Sequence, residues 1–350
     1  MSEFSDRVLQ WFGEHGRKDL PWQQNASPYG IWVSEIMLQQ TQVQTVIPYY
    51  ERFMRRFPDV VSVASADIDD VLQFWSGLGY YARARNLHRA ARIIREQFAG
   101  AFPRTFDDVV GLPGIGQSTA GAILSLAYDE RHVILDGNVK RVLARHQAIE
   151  GWPGKSEVTK KLWSVAEENT PVQRSAEYTQ AIMDLGATLC TRSKPACGTC
   201  PVGDDCKARL SDAIEWFPGR KPKKAKPLKQ TTMIMAINDN AVYLERRPAA
   251  GIWGGLWSLP EVDDVDDWCW RVLHASPGDA EARDTVRHSF SHFDLDIRPV
   301  VVRVDAVSRK VADSPDATWH SLGDNPPGGI AAPVQKLINT LKTNRHVTNS

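Results

Sequence analysis

No apolar run in this chain approaches the ~18 residues that a membrane-spanning helix needs. The opening residues, Met1-Ser2-Glu3-Phe4-Ser5-Asp6, have neither the basic nor the apolar region of a secretory leader, so a cytoplasmic protein is the expectation. Excess charge of either sign is also missing. The 42 basic residues balance 42 acidic ones, so overall charge marks no polyanionic partner and any such mark has to be local. Cysteine is scarce, five in 350 residues, too few for a disulfide-built scaffold. What remains is an ordinary globular composition, 42% apolar and 24% charged, at a length that suits two domains.

The densest signals lie between Thr105 and His146. Thr105 with Asp108 reads as a capping pair opening a short helix, and Ala120, Ile123, Leu124 and Ala127 fall on one face of a second. Between them, Gly111-Leu112-Pro113-Gly114-Ile115-Gly116 predicts a hairpin turn. Its glycines leave backbone N–H groups open to a phosphate, and the second helix points its positive end at the same place. A tight turn that needs glycine only for its backbone angles is the plainer alternative. Downstream, Asp136 follows the apolar run Val133-Ile134-Leu135 and precedes a helix, which suits an N-cap and equally an anion held ionised at a helix start.

Phe4, Val8, Trp11 and Phe12 predict a core-facing helix ended by Leu20-Pro21-Trp22, with Pro28-Tyr29-Gly30 as a turn. From Ile31 to Val43 there is one acid and no base. Glu35 there sits on a largely apolar face, where desolvation favours the protonated form that a general acid requires. An ion pair inside a helical bundle would account for it as well. The amide-rich run Gln39-Gln40-Thr41-Gln42 can address base edges or end a helix in solvent. Local positive charge gathers behind Gly77-Leu78-Gly79-Tyr80-Tyr81, where Arg83, Arg85, Arg89, Arg92 and Arg95 follow with no acid among them. A basic helix behind an aromatic loop suits a nucleic-acid strand being unstacked; a solvated helix face is the alternative.

Four cysteines fall as Cys190-x6-Cys197-x2-Cys200-x5-Cys206. In a reducing compartment this spacing means a metal centre, zinc or iron–sulfur on spacing alone. Cys269 stands apart and needs only packing.

The Ser34–Val43 stretch, the Gly77–Arg85 stretch, the hairpin, Leu135-Asp136-Gly137-Asn138-Val139 and the cysteine loop occur in this order along nearly the whole chain. Together they resemble the MutY-type adenine DNA glycosylases of the endonuclease III, or helix-hairpin-helix, superfamily. The resemblance implies a mostly α N-terminal glycosylase domain over 1–218, with its hairpin at about 105–127 and a [4Fe-4S] loop at 190–206. It implies a monofunctional enzyme that flips out and hydrolytically removes adenine opposite 8-oxoguanine or guanine. On that pattern Glu35 is the acid and Asp136 stabilises the sugar cation, two carboxyls in unlike environments. Leu20, Trp22 and Gln180 surround the adenine; Gln40, Thr41, Leu78 and Tyr80 form the wedge at the mispair; Gly114, Gly116 and Ser118 serve the phosphate hairpin. Strand-cutting relatives carry a lysine where Ser118 stands, so strand cleavage through a Schiff base is not expected. Gln117 departs from the basic residue usual there.

From Arg220 to Lys229 six basic residues and two prolines predict an extended linker, placed at 219–229. Beyond it Thr231–Ile237, Ala241–Arg246 and Asp294–Val304 read as strands and Pro333–Leu341 as a helix, an α/β domain over 230–345. Leu244-Glu245-Arg246-Arg247 and Gly251–Pro260 resemble a Nudix fold, yet no Arg-Glu-x2-Glu-Glu helix follows to hold magnesium. The family resemblance assigns this domain to 8-oxoguanine recognition through Phe290-Ser291-His292. The implied partner is duplex DNA bearing that mispair, met by a monomer near the nucleoid, with replication or repair proteins as further candidates. Two other functions stay in view, a lyase on oxidised pyrimidines and a nucleotide hydrolase or non-catalytic metal-stapled DNA-binding module.

Overall fold

A computed structural model describes the chain except residues 1, 25, 223–224, 249, 275, 277–279, 305–313 and 344–350. Residues 223–224 of the expected linker and the expected C-terminal bound at 345 therefore lie outside the described residues. The chain begins with α1 (Glu3–His15), α2 (Pro21–Gln24), α3 (Pro28–Leu38), α4 (Val43–Arg56), α5 (Val60–Ser65), α6 (Ile68–Trp75) and α7 (Ala82–Gln97). It continues with α8 (Phe106–Gly111), α9 (Gln117–Tyr128), α10 (Gly137–His146), α11 (Ser156–Asn169), α12 (Ser175–Asp184) and the short α13 (Lys207–Leu210). Strands follow: β1 (Leu228–Asn238), β2 (Ala241–Arg246), β3 (Trp257–Ser258), β4 (Glu261–Val262), β5 (Glu281–Ala282), β6 (Val286–Ser289), β7 (Asp294–Arg303) and β8 (Ala317–Ser321). Helix α14 (Val265–Trp268) precedes β5, and α15 (Ala332–Thr343) follows β8.

Two compact units result, Met1–Ser65 with Asn86–Lys223, and Ala66–Arg85 with Lys224–Ser350. Residues 66–85, assigned by sequence to the helical domain, group with the C-terminal residues.

In the first unit the apolar faces of α1, α10, α11 and α12 share one core, with Val8, Leu143, Leu162 and Ile182 almost wholly buried. Helix ends follow local chemistry. Ser2 caps α1 and Thr105 caps α8, where its oxygen accepts from Asp108 N–H at 3.3 Å, the expected capping pair. Pro28-Tyr29-Gly30, expected as a turn, is instead the first turn of α3: Ser27 accepts from Gly30 N–H, and proline at the first helical position is pre-set for it. Helix α3 stops at Leu38, and Gln40 enters the left-handed region at φ 58°, turning the chain into α4.

In the second unit β1 is central. It pairs antiparallel with β2 and β4 and parallel with β7 from Leu228↔Asp294 to Ile237↔Arg303. Met233–Ile237 are buried in succession, the pattern of a strand covered on both faces, not the alternation of a half-exposed one. Strands β3 and β8 extend the sheet beyond β2, and β5 and β6 pair β7. Cys269 lies in the core of this unit with Ile234, Tyr243 and Trp268, as packing required.

Leu143 fills the shared core on the helix that begins at Asp136. Leu143→Ala should lower the stability of the first unit by about 3 kcal/mol, read from denaturant midpoints at unchanged slope. A loss below about 1 kcal/mol would mean that this contact is not what seats α10.

Candidate active site

Helix α3, the turn after it, α9, α10 and α12 wall a cavity of about 730 Å³ in the first unit, and Glu35 and Asp136 both face into it. Glu35 follows buried Ile31 and Trp32 by one turn and is half-buried by surface area, its carboxyl withdrawn into the cavity wall. Burial pushes it up from its usual value to about 8, and the nearby charge of Asp136 adds to the rise. Asp136 is the N-cap of α10: it accepts from Val139 N–H at 2.8 Å and from Asn138 Nδ2 at 3.2 Å. It was expected to stay ionised for that reason. Burial nevertheless raises it above the usual carboxylate value, against the opposing pull of the Val139 and Asn138 donors and the Arg141 charge. The two carboxyls are therefore unequal. Donors and a cation favour the anion at Asp136, and nothing comparable favours it at Glu35.

Leu20, Trp22 and Gln180 line the same cavity. Behind them lies a group that sequence reasoning missed. Asp184, fully buried on α12, accepts from Arg17 Nε at 3.0 Å, from Arg17 Nη2, and from the Arg17 backbone N–H at 2.9 Å. It also accepts from Gln180 Nε2 at 2.8 Å. A carboxylate can only accept, so Gln180 must turn its NH2 to Asp184, leaving its carbonyl oxygen for the cavity. The signal was present: Asp184 sits among Ala181, Ile182 and Leu185 with no nearby base, the pattern that marked Glu35. Its partner Arg17 is too distant along the chain for any motif to connect them.

Ser118 and the turn residues Gln40 and Thr41 also reach the cavity. Ser118 Oγ accepts from Leu135 N–H at 2.9 Å, fixing the start of α9 to the residue before Asp136. In the hairpin, Gly114 has φ 84° and a Cβ there would meet Asn86 at 2.9 Å, so glycine is doubly required. Gly116 caps α9 at φ −97°, and a Cβ there would meet nothing. The fold itself does not demand glycine at 116.

At its far end α10 meets the cysteine loop. Arg145, buried, donates to Cys190 Sγ at 3.3 Å and to the Thr191 carbonyl at 2.7 Å. Arg141 donates to the carbonyls of Cys190 (2.7 Å) and Gly186 (2.6 Å) and to Asn138 Oδ1 (2.9 Å), whose amide in turn donates to Asp136. A continuous hydrogen-bonded path thus joins Cys190 to Asp136. Cys190, Cys197, Cys200 and Cys206 are free thiols around one small cavity. Burial, with a smaller contribution from the other three thiols, raises Cys200 to about 11. Among the described residues no three donors are placed to grip a single metal ion. Four thiols lining one shared space fit the all-thiolate ligation of an iron–sulfur cluster.

The remaining expected residues lie in the second unit. Tyr80 projects, 53% exposed at φ 49°, whereas Leu78 is 6% exposed. Of the five arginines expected behind them, Arg83 and Arg85 are turned to structural use, while Arg89 and Arg92 are exposed. Arg83 folds back to donate to the carbonyls of Leu78 and Gly79 and stacks on Trp75 and Tyr80, and Arg85 donates to the Gly254 carbonyl at 2.6 Å. Loop carbonyls left without strand or helix partners attract these guanidiniums more strongly than solvent does. Phe290-Ser291-His292 joins β6 to β7; Phe290 stacks on Phe293 with centroids 4.6 Å apart, and Ser291 Oγ lies 3.3 Å from His292 Nδ1, exposed.

Comparison with known proteins adds the following. Residues 33–168 match the model of the HhH-GPD superfamily of base excision DNA repair proteins, 190–206 the iron–sulfur binding domain of endonuclease III, and 232–340 the NUDIX domain. An adenine DNA glycosylase of Buchnera aphidicola (subsp. Acyrthosiphon pisum) is 39% identical over 97% of this chain and 98% of the relative. That of Homo sapiens is 34% identical over 97% of this chain and 74% of its own length. Among solved structures a thermostable thymine-DNA glycosylase superposes with a TM-score of 0.54 at 26% identity, over 59% of this chain and 95% of that one. The cysteine loop holds one iron–sulfur cluster.

The raised Glu35 has a consequence for stability. An acid whose folded value lies near 8 favours folding fully below its unfolded value of about 4.5, and that contribution is lost as pH rises to about 8. Glu35→Gln should therefore melt close to the parent at pH 5 and above it at pH 8, with a gap that widens as pH rises between them. A difference that does not grow with pH would mean the carboxyl is not desolvated.

Proposed function

The chain belongs to the adenine DNA glycosylase family, and we propose that it hydrolyses the N-glycosidic bond of adenine opposite 8-oxoguanine or guanine in duplex DNA, leaving an abasic site. The observation that carries this reading is the pair of unlike carboxyls in one base-sized cavity. Glu35, held protonated to about pH 8, donates its proton to a ring nitrogen of the flipped base, because adenine leaves poorly until protonated. Asp136 opposes the positive charge that develops on the sugar, and the Glu35 carboxylate left behind then helps activate water.

Selection of adenine rests on Gln180. With its NH2 committed to Asp184, its oxygen accepts from the exocyclic amino group of adenine; guanine presents an acceptor at that edge and would leave two acceptors facing each other. Trp22 and Leu20 supply the apolar walls. The hairpin at Gly114 and Gly116 grips a phosphate through the open N-terminus of α9; Gln40 and Thr41 of the first unit address the mispair, and so, by the family pattern, do Leu78 and Tyr80 of the second. Phe290-Ser291-His292 addresses 8-oxoguanine, Ser291 being able to donate and accept at its altered edge. When bound, the iron–sulfur cluster cross-links Cys190, Cys197, Cys200 and Cys206 through metal–thiolate bonds and so fixes the loop that Arg141 and Arg145 grasp. With Ser118 in the hairpin helix and no amine there, no Schiff base forms and the strand stays intact. No helix of the described residues is long and apolar enough to cross a membrane.

Duplexes with a central A opposite 8-oxoguanine, G, C or T test the reading, scored with and without hot alkali. Breaks are expected only for A opposite 8-oxoguanine or G, and mainly after alkali. Nicking without alkali would support a lyase, and no release from any duplex a binding module. Under single turnover the rate should fall above about pH 8, and Glu35→Gln should abolish release while keeping mispair binding; joint loss of both would remove Glu35 from its role. Gly116→Ala should fold as the parent does and bind every duplex more weakly. Unchanged affinity would dismiss the phosphate grip.

A further inference from the structure

The loop Gly77–Tyr81 is a rigid block tied into the C-terminal unit. Trp75 Nε1 donates to the Gly79 carbonyl at 3.2 Å, and Arg83 holds the carbonyls of Leu78 and Gly79. Tyr81 OH donates to the Ile330 carbonyl at 3.2 Å, Ser76 Oγ to the same carbonyl at 3.4 Å, and Asp69 pairs with Arg246. These anchors hold the block. Arg85 does something different, because its target lies in a turn that also touches the Phe290-Ser291-His292 loop.

Arg85 sits in the first turn of α7, directly after the block, and its Nη1 donates to the Gly254 carbonyl at 2.6 Å. Gly254 follows Trp253, which the turn holds at φ 54°. The Trp253 ring lies 5.4 Å from that of Phe290 and 5.6 Å from that of His288, and Arg247 Nε braces the turn from the other side at the Ile252 carbonyl, 3.0 Å away. A path of direct contacts therefore runs from Phe290 to Trp253, through Gly254 to Arg85, and along α7 to Tyr80 and Leu78. Arg85 is half-buried and spends its shortest hydrogen bond on a neutral carbonyl, although an exposed arginine of a DNA-binding helix would be more useful on a phosphate.

We propose that Arg85 and Trp253 are positioning residues that couple the Phe290-Ser291-His292 loop to the Leu78 and Tyr80 loop, so that the base met by the first sets how the second seats in the duplex. The coupling rests on the reading given above, in which the first loop addresses 8-oxoguanine and the second enters the mispair. It makes discrimination between 8-oxoguanine and guanine a property of the linked pair of loops, one that acts on the rate of adenine release without either residue touching the adenine.

The test is single-turnover release of adenine opposite 8-oxoguanine and opposite guanine by the full chain, for Arg85→Met, Ser291→Ala and the double variant. Losing one charge-assisted hydrogen bond should lower the 8-oxoguanine over guanine rate ratio of Arg85→Met by about tenfold, with the rate opposite guanine kept. The double variant should have no lower a ratio than Ser291→Ala alone, the signature of two changes on one path. Arg85→Lys, which keeps a donor, should recover part of the ratio. Equal slowing on both duplexes, multiplicative losses in the double variant, or a Lys variant as poor as the Met variant while melting like the parent would each overturn the coupling. An unchanged ratio in Ser291→Ala would instead dismiss Ser291 as the reader, and the Arg85→Met ratio would still decide the link.

Discussion

A carboxyl that is to give up a proton near neutral pH has to be kept from water without being offered a cation, and the first unit is arranged around that demand at Glu35. Helix α3 sets it one turn after buried Ile31 and Trp32, while two basic groups of the same cavity are engaged elsewhere, Arg17 on Asp184 and Arg141 on backbone carbonyls and Asn138. Asp136 lies in the same cavity and is treated oppositely, with backbone and side-chain donors turned toward it. Burial alone would have made the two alike. Their difference comes from the helix start at Asp136, and so the capping geometry of α10 is inseparable from the chemistry.

Much of this was legible in the residues. The hairpin, the cap at Thr105, the cysteine spacing and both carboxyls announce themselves because each is local: a turn needs glycine within a few positions, a cap needs its partner three residues on, and a cluster loop brings its ligands within one short segment. The strands β1, β2 and β7 were visible for the same reason. Non-local partnerships were not. Arg17 with Asp184, Ser118 with Leu135 and Arg141 with Cys190 are contacts between distant positions, and no spacing rule connects them. In the arginine run after Tyr81, charge in the sequence says nothing of which carbonyls a loop will leave unpaired; Arg83 and Arg85 found theirs, and Arg89 and Arg92 stay exposed.

The second unit shows the same economy with backbone acceptors. The Gly254 and Ile330 carbonyls, which no strand uses in full, become anchor points for side chains from residues 66–85. A helix and loop that precede α7 in the chain are thereby held by residues some 170 to 250 positions later. Domain limits drawn along the sequence and units drawn by packing then differ for a physical reason: hydrogen bonding to buried acceptors outweighs chain proximity.

The Arg17 to Asp184 contact spans 167 residues and lies directly behind the wall that orients Gln180. During synthesis from the N-terminus, Glu35 is made early, yet the group that completes its cavity emerges only after α12, and the cysteine loop that steadies α10 later still. Until then the nascent chain carries an apolar helix with a solitary acid and no finished pocket around it. The groups that finish the site are thus among the last of the first unit to be made, so catalytic competence comes late on the ribosome.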